Sequence, residues 1–119
     1  LDGARREARI REQEAVQREL EVRRVDAAAQ VATEVRTALL DADAAREQVQ
    51  AARERVALAE QEVSQARSRF AAGVSGNLEV TQALLTLSAA RTQYVDALAA
   101  RQFARLAVAR AQGTLTSLR

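Results

Sequence analysis

The stretch Gly73-Val74-Ser75-Gly76 decides the fold of this chain, because it interrupts a long sequence that otherwise has no glycine or proline between residues 4 and 112. The chain has 119 residues and no proline, and its other two glycines lie at positions 3 and 113. Glycine and proline are the residues that interrupt helices most strongly. The sequence therefore predicts an all-α fold, a long antiparallel α-helical hairpin (coiled coil) with one helix about twice the length of the other.

We expect this hairpin to be a single segment that covers the whole of residues 1–119. Gly113 is expected to stop the second helix, since glycine commonly adopts the left-handed conformation just past a helix end. The abrupt start at Leu1-Asp2-Gly3 indicates a piece of a larger protein. The predicted parts are a helix at about 4–71, a turn at 72–77, a helix at about 78–112 and a short tail at 113–119.

Composition excludes several classes of function. The chain contains no histidine, lysine or cysteine, and its acids are scattered, so we expect no catalytic residues, no cofactor and no metal site. The net charge is only +2 and the charges alternate in sign, which argues against a nucleic-acid partner. The longest uncharged run, Val80–Ala90, is shorter than the roughly 20 apolar residues that cross a bilayer as a helix.

The apolar residues of the first helix recur every three or four positions, as in a coiled coil. One extra step of three between Ala42 and Ala45 predicts a local phase slip. Residues 4–35 should lie beyond the reach of the second helix and need a partner elsewhere. The predicted seam is Ala32, Val35, Leu39, Ala42, Ala45, Val49, Ala52, Val56, Ala59, Val63, Ala66 and Phe70.

The second helix carries two apolar stripes rather than one. The first stripe is Val80, Ala83, Leu87, Ala90, Tyr94, Ala97, Arg101, Ala104, Val108 and Ala111. The second is Leu78, Leu85, Ala89, Thr92, Ala99, Phe103 and Leu106. Two stripes predict neighbours on two sides, as in a wall or tube of helices; the alternative is one wide stripe in a small bundle.

The tip and its surroundings resemble the periplasmic helical hairpin of the TolC-family outer-membrane efflux proteins. The resemblance rests on an aromatic followed by glycine three residues later, on an apolar-acidic-valine triplet, and on an alanine-rich helix that approaches a glycine. These elements are Phe70, Gly73, Leu78-Glu79-Val80 and Arg110-Ala111-Gln112-Gly113-Thr114-Leu115. The start at Asp2-Gly3 and the pair Glu34-Val35 also fit the family.

The resemblance implies an exit duct of the Gram-negative cell envelope. Its members are trimers whose outer-membrane β-barrel continues as a periplasmic tunnel of helices. An adaptor (membrane fusion) protein meets the tunnel's lower end and links it to an inner-membrane pump. This chain would be one periplasmic hairpin of that tunnel, self-associating in the full-length protein, and the fragment itself would not span a membrane.

By the same resemblance, two sets of residues have roles at the tip. The adaptor-contact tip would be Ala72, Gly73, Val74, Asn77, Leu78 and Glu79. The tunnel mouth would be formed by Glu79 and Gln82. Simpler roles are open for each of three residues: Gly73 as a helix end, Leu78 as a staple onto the first helix, and Glu79 as a charge that complements the helix dipole.

Two other functions compete with the duct. The first is the coiled-coil hairpin of the adaptor protein itself, although adaptor arms are similar in length and these are not. The second is a generic coiled-coil oligomerisation scaffold, which usually has leucine or isoleucine at its core positions, whereas this seam is mostly alanine and valine.

Overall fold

The computed structural model describes residues 1–117 and contains two α-helices, α1 (Asp2–Ala71) and α2 (Asn77–Ser117), which pack as an antiparallel hairpin. The molecule is 106 Å long. Because a helix rises about 1.5 Å per residue, the 70 residues of α1 account for the whole of that length. The 41 residues of α2 cover only part of it. The predicted fold class, a long and lopsided helical hairpin, is confirmed.

The C-terminal end of α2 corrects one expectation. Gly113 does not stop the helix near residue 112 but lies inside α2, which continues to Ser117. Its backbone lacks the left-handed conformation of a helix end, since Gly73 is the one glycine with positive φ in residues 1–117. A glycine inside a helix costs only about 1 kcal/mol, which the surrounding helix-forming residues offset. The longer α2 therefore reaches further along α1.

The helices pack along one seam of buried and half-buried residues. On α2 this seam is the first stripe that the sequence predicts, from Val80 to Ala111. With Val63 and Val80 at heptad position a, every d position of the seam except Val31 is alanine, a side chain small enough for two helices to approach closely. On α1 the seam is Val31, Val35, Ala38, Ala42, Ala45, Val49, Ala52, Val56, Ala59, Val63 and Ala66.

Three residues assigned to the α1 seam lie outside it. Ala32 and Leu39 are exposed, and Val31 and Ala38 are buried in their place. The spacing from Val31 to Ala66 is then an unbroken alternation of four and three, and the predicted phase slip is absent. The strict repeat on α2 explains this, because it continues in register only if Ala38, and not Leu39, faces it.

Phe70 is the third misplaced residue, with half of its surface exposed. It follows Ala66 at the correct spacing but lies in the last turn of α1. The turn residues after it leave this end of the seam open, since α2 begins only at Asn77. The main cluster of buried residues begins one turn before Phe70. It consists of Ala59, Val63, Ala66, Val80, Ala83, Leu87 and Ala90.

The first part of α1 has no partner within the hairpin. Residues 2–30 are all exposed, and the first buried position is Val31. We call residues 2–30 the overhang; it is slightly shorter than the predicted 4–35 because α2 is longer. Two ion pairs between residues four apart form along it, Glu7 with Arg11 at 3.8 Å and Glu19 with Arg23 at 2.7 Å.

Neither helix contains, within residues 1–117, a stretch long and apolar enough to cross a lipid bilayer. The same residues bring together no group of three or more acidic, histidine or cysteine side chains that could hold a metal ion.

Candidate functional site at the hairpin tip

The end of α1 is a Schellman turn built around Gly73. Gly73 has φ +72°, and its N–H donates to the carbonyl of Phe70 at 3.0 Å, while the N–H of Val74 donates to the carbonyl of Arg69 at 2.9 Å. These two bonds satisfy carbonyls that the helix end would otherwise leave free. The simpler role for Gly73, a left-handed residue that ends a helix, is therefore present in the structure.

The turn also leaves open space around Gly73. A Cβ added there would meet nothing within 4 Å, so the glycine is required by its backbone conformation rather than by crowding inside the hairpin. Ala72, the residue before it, is exposed and retains a right-handed conformation, with φ −80° and ψ −4°. Another molecule can therefore reach the backbone of this turn without displacing any side chain of the hairpin.

Two apolar side chains of the tip are turned towards solvent. Val74 is 75% exposed and Leu78 is 70% exposed. The apolar contact that often accompanies a Schellman turn has no apolar partner here, because the residues one turn back are Ser68 and Arg69. Leu78 likewise does not pack onto α1, so the staple role considered for it is excluded by its exposure.

Glu79 forms an ion pair that the sequence analysis missed. Its Oε1 lies 3.0 Å from Nη1 of Arg69, so the pair joins the first turn of α2 to the last turn of α1. Each charge also complements the dipole of its own helix end, acidic at the start of α2 and basic at the end of α1. The signal was available, because Arg69 and Glu79 both lie at heptad position g, on the same side of the seam.

The start of α2 has little side-chain capping. Gly76, which precedes the helix, carries no side chain, and the buried Oγ of Ser75 has no hydrogen-bond partner. Asn77 is exposed in the first turn, and its carbonyl accepts a bond from Oγ1 of Thr81 at 3.1 Å. Gln82 is exposed one turn after the half-buried Glu79, so the two residues assigned to the tunnel mouth lie on neighbouring turns.

Beyond the tip, the second apolar stripe of α2 faces away from α1. Its large residues Leu78, Leu85, Phe103 and Leu106 are between 63% and 72% exposed. The smaller members of the stripe, Ala89, Thr92 and Ala99, are exposed as well. The structure thus separates the two stripes of α2: one is covered by α1, and nothing within residues 1–117 covers the other.

Comparison with known proteins agrees with this arrangement. A family model described as "Outer membrane efflux protein" matches residues 1–114 of the chain. No curated protein and no solved structure matches it. The match covers the whole of α1, the tip and α2 as far as residue 114. The chain therefore belongs to the outer membrane efflux protein family, whose members are channels of the outer membrane rather than enzymes.

Proposed function

We propose that the chain is a hairpin of the periplasmic α-helical tunnel of a TolC-like efflux duct, and that its tip docks the adaptor of a tripartite export pump. The observation that carries this proposal is the pair of opposite apolar faces on α2. One face is buried against α1, and the other exposes Leu85, Phe103 and Leu106. A helix in an isolated hairpin needs only the first face, whereas a helix in a tunnel wall needs both.

The charges of α2 support a second packing face. At the heptad positions b and f, which lie away from α1, every residue from Leu78 to Gly113 is uncharged. A face that remained in water would normally carry charged residues there. In the proposed tunnel this face packs against the helix of a neighbouring hairpin, and the overhang pairs with other segments of the assembled trimer.

The tip has the properties of a contact for the adaptor protein. Gly73 lets another backbone approach closely, Val74 and Leu78 offer exposed apolar surface, and Asn77 adds polar groups beside them. The patch is small, which suits the contact of one hairpin end with another. Through the adaptor the duct is then connected to an inner-membrane pump.

Glu79 and Gln82 are proposed to lie at the periplasmic mouth of the tunnel. The ion pair with Arg69 holds the carboxylate of Glu79 against the end of α1. A ring of these carboxylates would favour the passage of cations, and the guanidinium of Arg69 beside each one would weaken that effect. Gln82 adds a hydrogen-bonding group one turn above but no charge.

Cysteine cross-linking in the full-length channel tests the tunnel. The chain has no cysteine, so single cysteines can be placed without background. We expect cysteines at Leu85 and Leu106 to cross-link to a neighbouring helix in cell envelopes, because both would be buried between hairpins. Cysteine at Glu47, on the solvent side of α1 and away from that face, serves as the matched control. Reaction of the Leu85 and Leu106 cysteines with a water-soluble maleimide, without cross-linking, would contradict the tunnel.

Replacement of Gly73 by tryptophan tests the tip. We expect Gly73→Trp to abolish adaptor-dependent efflux in the full-length channel, because a large side chain would fill the space that the partner backbone needs. Gly76→Ala, a small change in the same turn at a residue outside the proposed contact, is the control and should retain most of the activity. Helicity and outer-membrane insertion must be unchanged in both variants. Normal efflux by Gly73→Trp would remove Gly73 from the contact.

A further inference from the structure

The two flanks of the seam carry opposite charge. Heptad position e lies on one side of the seam and position g on the other. We call the e positions from 32 to 112 the basic flank; it contains one acid, Glu60, and the arginines Arg46, Arg53, Arg67, Arg91 and Arg105. We call the g positions from 34 to 114 the acidic flank; it contains Arg55 and Arg69 and the acids Glu34, Asp41, Glu62 and Glu79.

Ion pairs between the helices show which residues of a flank face each other. Glu60 and Arg91 are both on the basic flank and lie 3.5 Å apart, whereas Arg69 and Glu79 join the helices across the acidic flank. Arg46 and Arg105 lie two heptads further from the tip than Glu60 and Arg91, along the same unbroken seam. The geometry therefore sets Arg46 opposite Arg105, where two like charges face each other.

This end of the basic flank is short of negative charge. Arg46 forms an ion pair with Asp43 on its own helix, at 3.8 Å. Arg101 lies one turn before Arg105, half-buried in the seam, and its buried Nε atom has no hydrogen-bond partner within residues 1–117. Like charges four residues apart on a helix destabilise it. The hairpin thus concentrates three guanidinium groups where its own acids do not balance them.

Leucine alternates with arginine along the same flank. On α2 the e positions are Leu84, Arg91, Leu98 and Arg105 in order. Leu84 is 40% exposed and, with Arg67 and Arg91, lines a groove between the two helices. Apolar and charged contacts that recur every seven residues match the side-chain period of another helix. Arginine in particular binds carboxylates through two parallel hydrogen bonds.

We infer that the basic flank docks an acidic amphipathic helix of another protein, laid along the groove between α1 and α2. Its apolar residues contact Leu84 and Leu98, and its carboxylates bind Arg46 and Arg105, whereas Arg91 remains paired with Glu60. The inference rests on the proposed function in one respect: if Glu79 on the acidic flank faces the tunnel bore, the basic flank faces outwards, where a partner can reach it.

A binding measurement on this chain tests the inference. The probe is a fluorescent synthetic helix with leucine at its core positions and glutamate on both sides, titrated with the 119-residue chain and followed by anisotropy. We expect binding that weakens with added salt. The double variant Arg46→Gln/Arg105→Gln should weaken it about tenfold, since two exposed ion pairs are lost. The double variant Arg18→Gln/Arg55→Gln changes net charge equally outside the basic flank and should bind within about twofold of wild type.

Leucine variants and a second probe distinguish a helical protein partner from an anionic polysaccharide. Leu84→Ser/Leu98→Ser should weaken binding of the synthetic helix, whereas an anionic polysaccharide, polygalacturonate, should bind poorly to every form of the chain. Tight polygalacturonate binding that depends on the arginines and not on the leucines would overturn the helix as occupant. Equal binding by both double arginine variants would overturn the flank itself. Circular dichroism checks that each variant is folded.

Sedimentation addresses the remaining occupant, a second copy of the chain. If the wild-type chain dimerised and Arg46→Gln/Arg105→Gln abolished the dimer, the acidic helix would come from the chain itself and the inference would fail. None of these measurements involves transport. Failure of the Leu85 and Leu106 cross-links would refute the tunnel wall without changing the binding result, and failure to bind would leave the cross-links unaffected.

Discussion

The overhang and α2 are both helical, yet they are helical for different reasons. Fourteen of the 29 residues of the overhang are charged, none is buried, and its side chains interact mainly with each other, as in the pair Glu19 and Arg23. Only six of the 41 residues of α2 are charged, and its seam packs against α1 along nearly its full length. Local propensity and exposed ion pairs stabilise the overhang, whereas tertiary packing stabilises α2.

The difference teaches where each region depends on its surroundings. An isolated helix of the overhang's length is marginal in water. α2 has the opposite property, because it has more apolar surface than α1 can cover. In a single hairpin the overhang has no helix packed beside it, and the second apolar face of α2 is exposed. Neighbouring helices of a tunnel wall would supply both contacts.

The largest expected effect breaks the packing of α2. Leu87 is 7% exposed at the centre of the main buried cluster, and Leu87→Ala should lower the free energy of unfolding by about 2–3 kcal/mol because it removes buried methyl groups and leaves a cavity. The matched change in the overhang, Leu20→Ala, should alter it by less than about 0.5 kcal/mol, since Leu20 is 58% exposed. Urea unfolding followed by circular dichroism measures both. Equal effects would show that the two regions are stabilised alike.

An intermediate effect is expected at the turn that joins the regions. Gly73→Ala should cost about 1–2 kcal/mol, because Gly73 has the left-handed backbone conformation that a Cβ disfavours. Gly76→Ala is the matched control, with open space around it and no positive φ, and should stay within about 0.5 kcal/mol of wild type. The same urea experiment distinguishes them. A greater loss for Gly76→Ala would contradict the assignment of the Schellman turn to Gly73.

The smallest expected effect compares the ion pairs of the two regions. Glu79→Gln removes the bridge to Arg69 between helices, and Glu19→Gln removes the bridge to Arg23 within the overhang. Both pairs are solvent-exposed, so each change should cost roughly 0.2–1 kcal/mol at low salt and less at high salt. Only Glu79→Gln should lower the urea midpoint of α2 packing, whereas Glu19→Gln should reduce helicity locally. A lower urea midpoint in both variants would mean that the overhang and α2 unfold together.

Much of the fold could be predicted because glycine, proline and a seven-residue period are local signals. The break at Gly73–Gly76 and the α2 seam from Val80 to Ala111 are as the sequence predicts. The predicted α1 seam is correct at Val35 and from Ala42 to Ala66, and wrong at Ala32, Leu39 and Phe70. Three-four spacing alone fits either Ala38 or Leu39, whereas the register of the facing helix decides which residue is buried, and that register is not a local property.

The tip was predictable in its parts but not in its contacts. The sequence placed Gly73, Val74 and Leu78 at the turn, and the structure brings them to the exposed end of the hairpin. Heptad position g puts Arg69 and Glu79 on the same side of the seam, but which residues of that side face each other depends on how the turn sets one helix against the other. Gly113 was wrongly predicted to end α2. A glycine that commonly ends a helix can lie inside one when its neighbours favour helix.

Alanine occupies all but one of the d positions in the seam between the two helices, and this limits which substitutions the chain can accept during evolution. Enlarging a residue there forces the rods apart at a cost of typically 1–3 kcal/mol. The e and g positions other than Glu79 and Leu98 are exposed, and substitutions at such sites usually change stability by no more than about 0.5 kcal/mol. Evolution can therefore change the surface charge on either side of the seam one residue at a time, while the packing of the two helices is conserved.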